Sequence, residues 1–89
     1  MTQRDMEIKN KLGLHARAAA KLVHTAARFK SDIKLRKGDE EVDAKSILGI
    51  LLLAAGRGSV LTVKAHGEDE RDSLDAIEKL IEAKFDEVE

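Results

Sequence analysis

The chain has 89 residues, with 16 Lys and Arg against 17 Asp and Glu for a net charge of -1, so one modest core in a single domain spanning residues 1–89 is expected, without a deep catalytic cleft or a global pull toward nucleic acid or anionic membrane. The absence of cysteine excludes disulfides, thiolate nucleophiles and zinc knuckles. With no Trp or Tyr and 2 Phe, there are no aromatic platforms for stacking bases, and the core must come from Ile, Leu, Val and Ala.

The opening MTQRDMEIKN is charged throughout and lacks the apolar stretch of a signal peptide. Within it Met6 and Ile8 alternate with Asp5, Glu7 and Lys9, the period of a half-buried strand. Lys11 to Leu14 reads as a loop. From Ala16 the period changes, and Ala19, Leu22, Val23 and Ala26 form one apolar face of a helix. Ile33 and Leu35 alternate with Lys34 and Arg36, Lys37-Gly38-Asp39 supplies a turn, and Glu41 to Ala44 forms a short returning strand. Ser46 is placed to cap a short apolar helix that Gly56-Arg57-Gly58 ends. The longest apolar run, Ile47 to Ala55, is too short to span a bilayer, so a soluble, cytoplasmic chain without membrane insertion is expected.

Leu61, Val63 and Ala65 mark the last strand, alternating with Thr62, Lys64 and His66. Asp69 is placed to cap a final helix with Glu70 and Asp72 in its first turn, and Leu74, Ile77, Ile81, Phe85 and Val88 repeat at helical spacing. Its terminal KLIEAKFDEVE reads as a solvated helix with a frayed end. The order βαββαβα predicts an α+β fold with three helices over one face of a four-stranded, mostly antiparallel sheet. The other face, with Lys34, Arg36, Thr62 and Lys64, would be open to solvent.

The chemistry concentrates in GLHARAAAKLVHTAARFK. On a helix that advances ~100° per residue, Arg17, Lys21, His24 and Arg28 fall within a sector of roughly 60° opposite the apolar face. His15 lies just before the first turn, where unpaired N–H groups and the helix dipole favour an anion. The first-turn amides of Ala16, Arg17 and Ala18, with the forked donors of Arg17, make a phosphate cradle. The same positive end disfavours protonation of His15 and leaves a neutral imidazole free to attack an electrophile. A nucleophile beside such a cradle points to phosphoryl chemistry on the histidine itself, and the plainer alternative is a histidine that caps the helix or sits in a surface loop. No glycine-rich phosphate loop or magnesium carboxylate cluster is visible, and His15, His24 and His66 lack metal-ligand spacing, so neither cofactor nor metal is expected.

Gly13-Leu14-His15-Ala16-Arg17 and Lys45-Ser46-Ile47-Leu48-Gly49, about thirty residues apart, resemble the two signatures of HPr, the histidine-containing phosphocarrier family of the phosphoenolpyruvate-dependent phosphotransferase system. The resemblance covers nearly the whole chain and implies an open-faced sandwich. It also implies a relay in which His15 takes a phosphoryl group on Nδ1 from enzyme I and gives it to the A component of an enzyme II in sugar uptake. Such a protein is a phosphohistidine carrier rather than a stand-alone enzyme, with Arg17 contacting phosphate and partner carboxylates. The departure is Ala18, where the commonest family signature has proline, and alanine returns a backbone N–H to the cradle.

Serine is a leading N-cap residue, which gives Ser46 a structural role first. The resemblance adds a regulatory one, phosphorylation by HPr kinase/phosphorylase in bacteria that have it. Ile47, Leu48, Leu51 and Leu52 exceed what one side of a short helix can bury, so they are expected to divide between core and surface. Ile47, Leu48 and Leu51, with Lys21, His24, Lys45 and Arg17 as a basic rim, form the expected docking face for acidic partners. The expected working form is a monomer. Two alternatives stand beside this reading: a carrier of the nitrogen-related phosphotransferase branch, and a binding module using the basic helix on RNA, against which the charge balance and missing aromatics weigh.

Overall fold

The computed structural model describes residues 1–87. Its elements are β1 (Thr2–Glu7), α1 (Ala16–Ala26), β2 (Asp32–Lys37), β3 (Glu40–Asp43), α2 (Ile47–Leu52), β4 (Val60–His66) and α3 (Glu70–Glu82), followed by a tight turn at Lys84–Asp86. The sheet runs β1-β4-β2-β3, and all three pairings are antiparallel. Thr2 pairs with Ala65, Ile33 with Ala65 and Leu35 with Val63, a register that sets Met6, Ile33, Leu35, Leu61, Val63 and Ala65 among the buried residues. The period-two reading of the strands follows from that one-sided burial.

The helices supply the other half of the core. Ala18, Ala19, Leu22 and Ala26 of α1 and Leu74, Ile77 and Ile81 of α3 are buried. Helix α3 packs on β1, β4 and α1, whereas α2 leans on β3 and α1. The small residues of α1 let its backbone lie close to its neighbours, and Val23 packs at the edge of the cluster.

Three local expectations are corrected. The hairpin turn is two residues, Gly38-Asp39 between the paired Lys37 and Glu40, so β3 starts one residue earlier than expected, at Glu40. Gly38 takes φ +60°, the conformation such turns require. Ala44 follows β3 as a buried residue, its N–H donating to the Ile33 carbonyl at 2.9 Å.

Asp69 precedes α3, but its side chain does not cap it. The carboxylate instead accepts the Lys30 N–H at 2.9 Å, the Ser31 N–H at 3.0 Å and the Ser31 hydroxyl at 2.5 Å. Ser31 is buried, and a buried hydroxyl needs a partner; Asp69 provides it and ties the α1–β2 loop to α3.

The final helix stops at Glu82, and the described residues after it, 83–87, do not form a frayed, solvated end. Lys84, Phe85 and Asp86 take left-handed conformations with φ of 55°, 56° and 60°. Each such residue costs about 1–2 kcal/mol, but the turn drives Phe85 fully into the core. Helical spacing therefore gave the correct burial for Phe85 and the wrong conformation. Val88, expected on the same stripe, lies outside the described residues.

Candidate functional site

His15 occupies the N-cap of α1 with φ -74° and ψ 178°, and its side chain makes no capping bond to the helix. The first intrahelical bond runs from the Ala19 N–H to the His15 carbonyl at 2.8 Å. The N–H groups of Ala16, Arg17 and Ala18 accordingly have no carbonyl within α1 to receive them, as at any helix start.

The loop before His15 is fixed by contact with the end of α2. The Leu14 N–H donates to the Ala55 carbonyl at 2.9 Å, and the Leu14 side chain is buried. Gly13 takes φ +66°, and a Cβ there would lie 2.6 Å from the Ala55 oxygen and 2.8 Å from the Gly56 Cα. Only glycine suits that position, which explains why a glycine stands two residues before the histidine.

The His15 ring is neither walled off nor fully open: its side chain is 28% exposed. Nε2 of the ring is hydrogen-bonded to Oε2 of Glu87. The other carboxylate oxygen of Glu87 accepts from Asn10 Nδ2 at 3.0 Å, and the same amide donates to the Gly13 carbonyl at 2.7 Å. Burial pushes the Glu87 carboxyl up, but the hydrogen bonds from His15 and Asn10 and the charges of His15 and Lys21 outweigh it, so the group stays below its ordinary value.

His15, Ala16 and Arg17 line one groove together with Leu12, Lys21 and Glu87. Arg17 is exposed and forms no ion pair among the described residues. Of the expected basic rim, two members are tethered: Lys21 Nζ donates to the Phe85 carbonyl at 2.6 Å and Lys45 Nζ to the Phe29 carbonyl at 2.8 Å. His24 is exposed in the last turn of α1, and Arg28 lies over the Phe29 ring at 5.5 Å. Among the described residues no cluster of three or more His, Cys, Asp or Glu could hold a metal ion.

Ser46 caps α2 as expected, its Oγ accepting the Gly49 N–H at 3.1 Å. The apolar residues behind it do not divide: Ile47, Leu48, Leu51 and Leu52 are 44%, 65%, 38% and 66% exposed. Only Ile50 within α2, and Leu53 just after it, reach the core, because a helix of 6 residues presents a single narrow face to the protein.

Asn10 and Glu87 carried no recognisable motif. Glu87 was indistinguishable from the other acidic residues of a solvated helix, and only the left-handed turn at 84–86 brings it 72 residues back to His15.

Residues 2–83 match the family model described as the PTS HPr component phosphorylation site. The chain belongs to the HPr family. Phosphocarrier protein HPr of Cupriavidus necator is 51% identical over 89 residues, covering 100% of both chains, and phosphocarrier protein NPr of Shewanella violacea is 46% identical over 85 residues, covering 96% of this chain and 93% of its own. The crystal structure of HPr-C-His from Thermoanaerobacter tengcongensis superposes with a TM-score of 0.96 at 46% identity, covering 100% of both chains. An HPr dimer from the same organism does so at 0.79, with 47% identity over 98% of this chain and 100% of its own. The open-faced sandwich is thus an HPr fold, and the chain is a phosphocarrier of the phosphotransferase system. The HPr match ends before the turn that carries Glu87.

Proposed function

We propose that His15 accepts a phosphoryl group on Nδ1 from phosphorylated enzyme I and passes it to a histidine on the A component of an enzyme II during sugar uptake. The observation that carries this reading is the partly exposed His15 ring at the mouth of α1, next to three amides with no partner in the helix and in one groove with Arg17. The Nδ1 lone pair attacks phosphorus as the donor's bond to phosphorus breaks, and the electron pair of that bond leaves with the donor. The transition state is loose and metaphosphate-like, so the site needs placement and charge stabilisation more than covalent help. The amides of Ala16, Arg17 and Ala18 and the Arg17 guanidinium supply that stabilisation. A shallow groove suits a carrier, which must release the group to the next acceptor.

The exposed Ile47, Leu48 and Leu51, with Arg17, His24 and the positions of Lys21 and Lys45 beside them, are the docking face for acidic partner surfaces. Ser46 is the regulatory site in organisms that hold HPr kinase/phosphorylase. A phosphate there suits a helix start, so it acts by repelling acidic partners rather than by unfolding α2. The working form is a cytoplasmic monomer, and no described helix is long and apolar enough to cross a membrane.

The similarity to an NPr supports a second reading in which the same His15 chemistry serves the nitrogen-related branch. Incubation with phosphoenolpyruvate and enzyme I of either branch separates the two. The expected product is an acid-labile, base-stable adduct of one phosphate that is lost in a folded His15→Ala variant. A wild-type chain that takes no phosphate from either enzyme overturns the proposal. Salt-dependent RNA affinity that survives His15→Ala would favour the binding module instead.

A further inference from the structure

Glu87 lies beyond the segment that carries the family match, residues 2–83, yet it touches the one ring on which the proposed chemistry depends. We infer that Glu87 is a positioning residue for phosphoryl transfer: its carboxylate, held in place by Asn10, keeps the imidazole hydrogen on His15 Nε2 and so leaves the lone pair on Nδ1. The inference rests on the reading of His15 as the phosphoryl acceptor and adds the group that selects which nitrogen reacts.

A carboxylate only accepts hydrogen bonds, so the ring atom facing it must donate. In a neutral imidazole one nitrogen carries the hydrogen and the other the lone pair, and the partner of the first decides the identity of the second. Glu87 is an anchored group, unlike an ordinary surface carboxylate. Its side chain is 12% exposed, and its second oxygen is fixed by Asn10 Nδ2 at 3.0 Å. Asn10 is fully buried, and its own Oδ1 has no hydrogen-bond partner among the described residues. An amide with such an acceptor is uncommon in a core, and here its two donor contacts link the Gly13 carbonyl, two residues before His15, to the carboxylate of Glu87. Two residues before Glu87 the chain is fixed again, by the buried Phe85 ring and by Lys21 on the Phe85 carbonyl at 2.6 Å.

The same contact serves both directions of the relay. When Nδ1 forms its bond to phosphorus, the hydrogen on Nε2 stays and the ring becomes cationic, with the Glu87 carboxylate as its counter-charge. When the next acceptor attacks, the N–P bond breaks and its electron pair returns to Nδ1. No proton leaves the ring in either step, so the site needs no general base. The arrangement is that of a histidine oriented by a carboxylate on its far nitrogen.

The test reads the tautomer directly, by long-range proton–nitrogen NMR on unphosphorylated, nitrogen-15-labelled protein at about pH 8.5, above the ordinary imidazole range. The wild-type ring should show hydrogen on Nε2. Glu87→Ala should lower the ratio of the Nε2–H to the Nδ1–H form by about tenfold, the loss of one charge-assisted hydrogen bond. Glu87→Gln, which retains an accepting oxygen, should recover part of that ratio. Phosphoryl uptake from charged enzyme I should fall in the same order, in variants that remain folded by circular dichroism at the assay temperature. An unchanged tautomer ratio in Glu87→Ala overturns the inference, as does an altered ratio with an unchanged transfer rate. A wild-type chain with the tautomer fixed but no phosphate uptake overturns the phosphocarrier reading and, with it, the use of the contact in transfer.

Discussion

Lys21 on α1 donates its ammonium to the backbone carbonyl of Phe85 at 2.6 Å, across 64 residues of sequence. Arg17 stands one turn earlier on the same helix, is exposed, and has no ion pair among the described residues. Two basic residues of one stripe therefore do different work. Lys21→Met should lower stability by about 1 kcal/mol through loss of that bond, and amide exchange should rise in residues 84–87. Arg17→Met should change stability by less than about 0.5 kcal/mol while slowing phosphoryl uptake. Urea midpoints and uptake rates measured on both variants check the contrast.

Gly13→Ala should be the most damaging small change in the site. The new Cβ would meet the backbone oxygen of Ala55 at 2.6 Å, and the residue would have to hold φ +66°. Neither neighbour is a flexible side chain that could move aside. A loss of about 2–4 kcal/mol is expected from the strain and the clash together. Chemical denaturation measures it, and the His15 ring signals should shift as the loop is displaced.

Ala18 is the third residue of α1, ahead of the first N–H to find a helical carbonyl. Its own N–H has no helical carbonyl to receive it, and the proposed function makes it a donor for phosphoryl oxygens. Ala18→Pro removes that donor from a turn that tolerates proline, so the phosphohistidine should hydrolyse faster in a variant with an unchanged circular dichroism spectrum. A lifetime equal to or longer than wild type would show that the N–H does not serve the phosphate.

Ser46→Ala removes the oxygen that accepts the Gly49 N–H at 3.1 Å. The expected loss is about 1 kcal/mol, the ordinary worth of an N-cap. Ser46→Asp keeps a capping oxygen and adds negative charge at a helix start, so its urea midpoint should stay within experimental scatter of wild type. If the docking face works as proposed, the aspartate variant should nevertheless be slower with acidic partners.

Asp69 is held below the ordinary carboxylate range, first by the Ser31 hydroxyl, then by the Lys30 N–H, with burial acting the other way and the Ser31 N–H adding to the lowering. A carboxyl depressed in the folded state stabilises it at pH values above the unfolded value near ~3.9, and that stability is lost as pH falls below it toward the folded value. Asp69→Asn should therefore flatten the acid limb of stability against pH. Urea unfolding at about pH 7, 4 and 2.5 follows the window, and an acid limb as steep as wild type would assign the dependence to other carboxyls.

Local chemistry made most of the fold legible. Met6, Ile33, Leu35, Leu61 and Val63 alternate because a sheet with one covered face has a period of two, and Leu74, Ile77 and Ile81 recur because a helix with one buried side has a period near 3.6. Ser46 could be placed as a cap because a cap is formed within four residues, and His15 could be placed at a helix mouth for the same reason. Gly13 was visible as part of a motif, but the collision with Ala55 that requires it was not.

What the sequence by itself determined is the set of interactions closed within a few residues: the order of strands and helices, the presence of a hairpin at Gly38 and the histidine at the start of α1. The tertiary structure decided which polar groups meet. Asp69 turned from its own helix to Ser31, Lys21 from solvent to Phe85, and Glu87 from a supposed solvated end to His15. The reason is that periodicity records only whether a side chain faces water or the core. A contact between residues 64 or 72 positions apart depends on where whole elements stop, and a left-handed turn around one buried phenylalanine set that point.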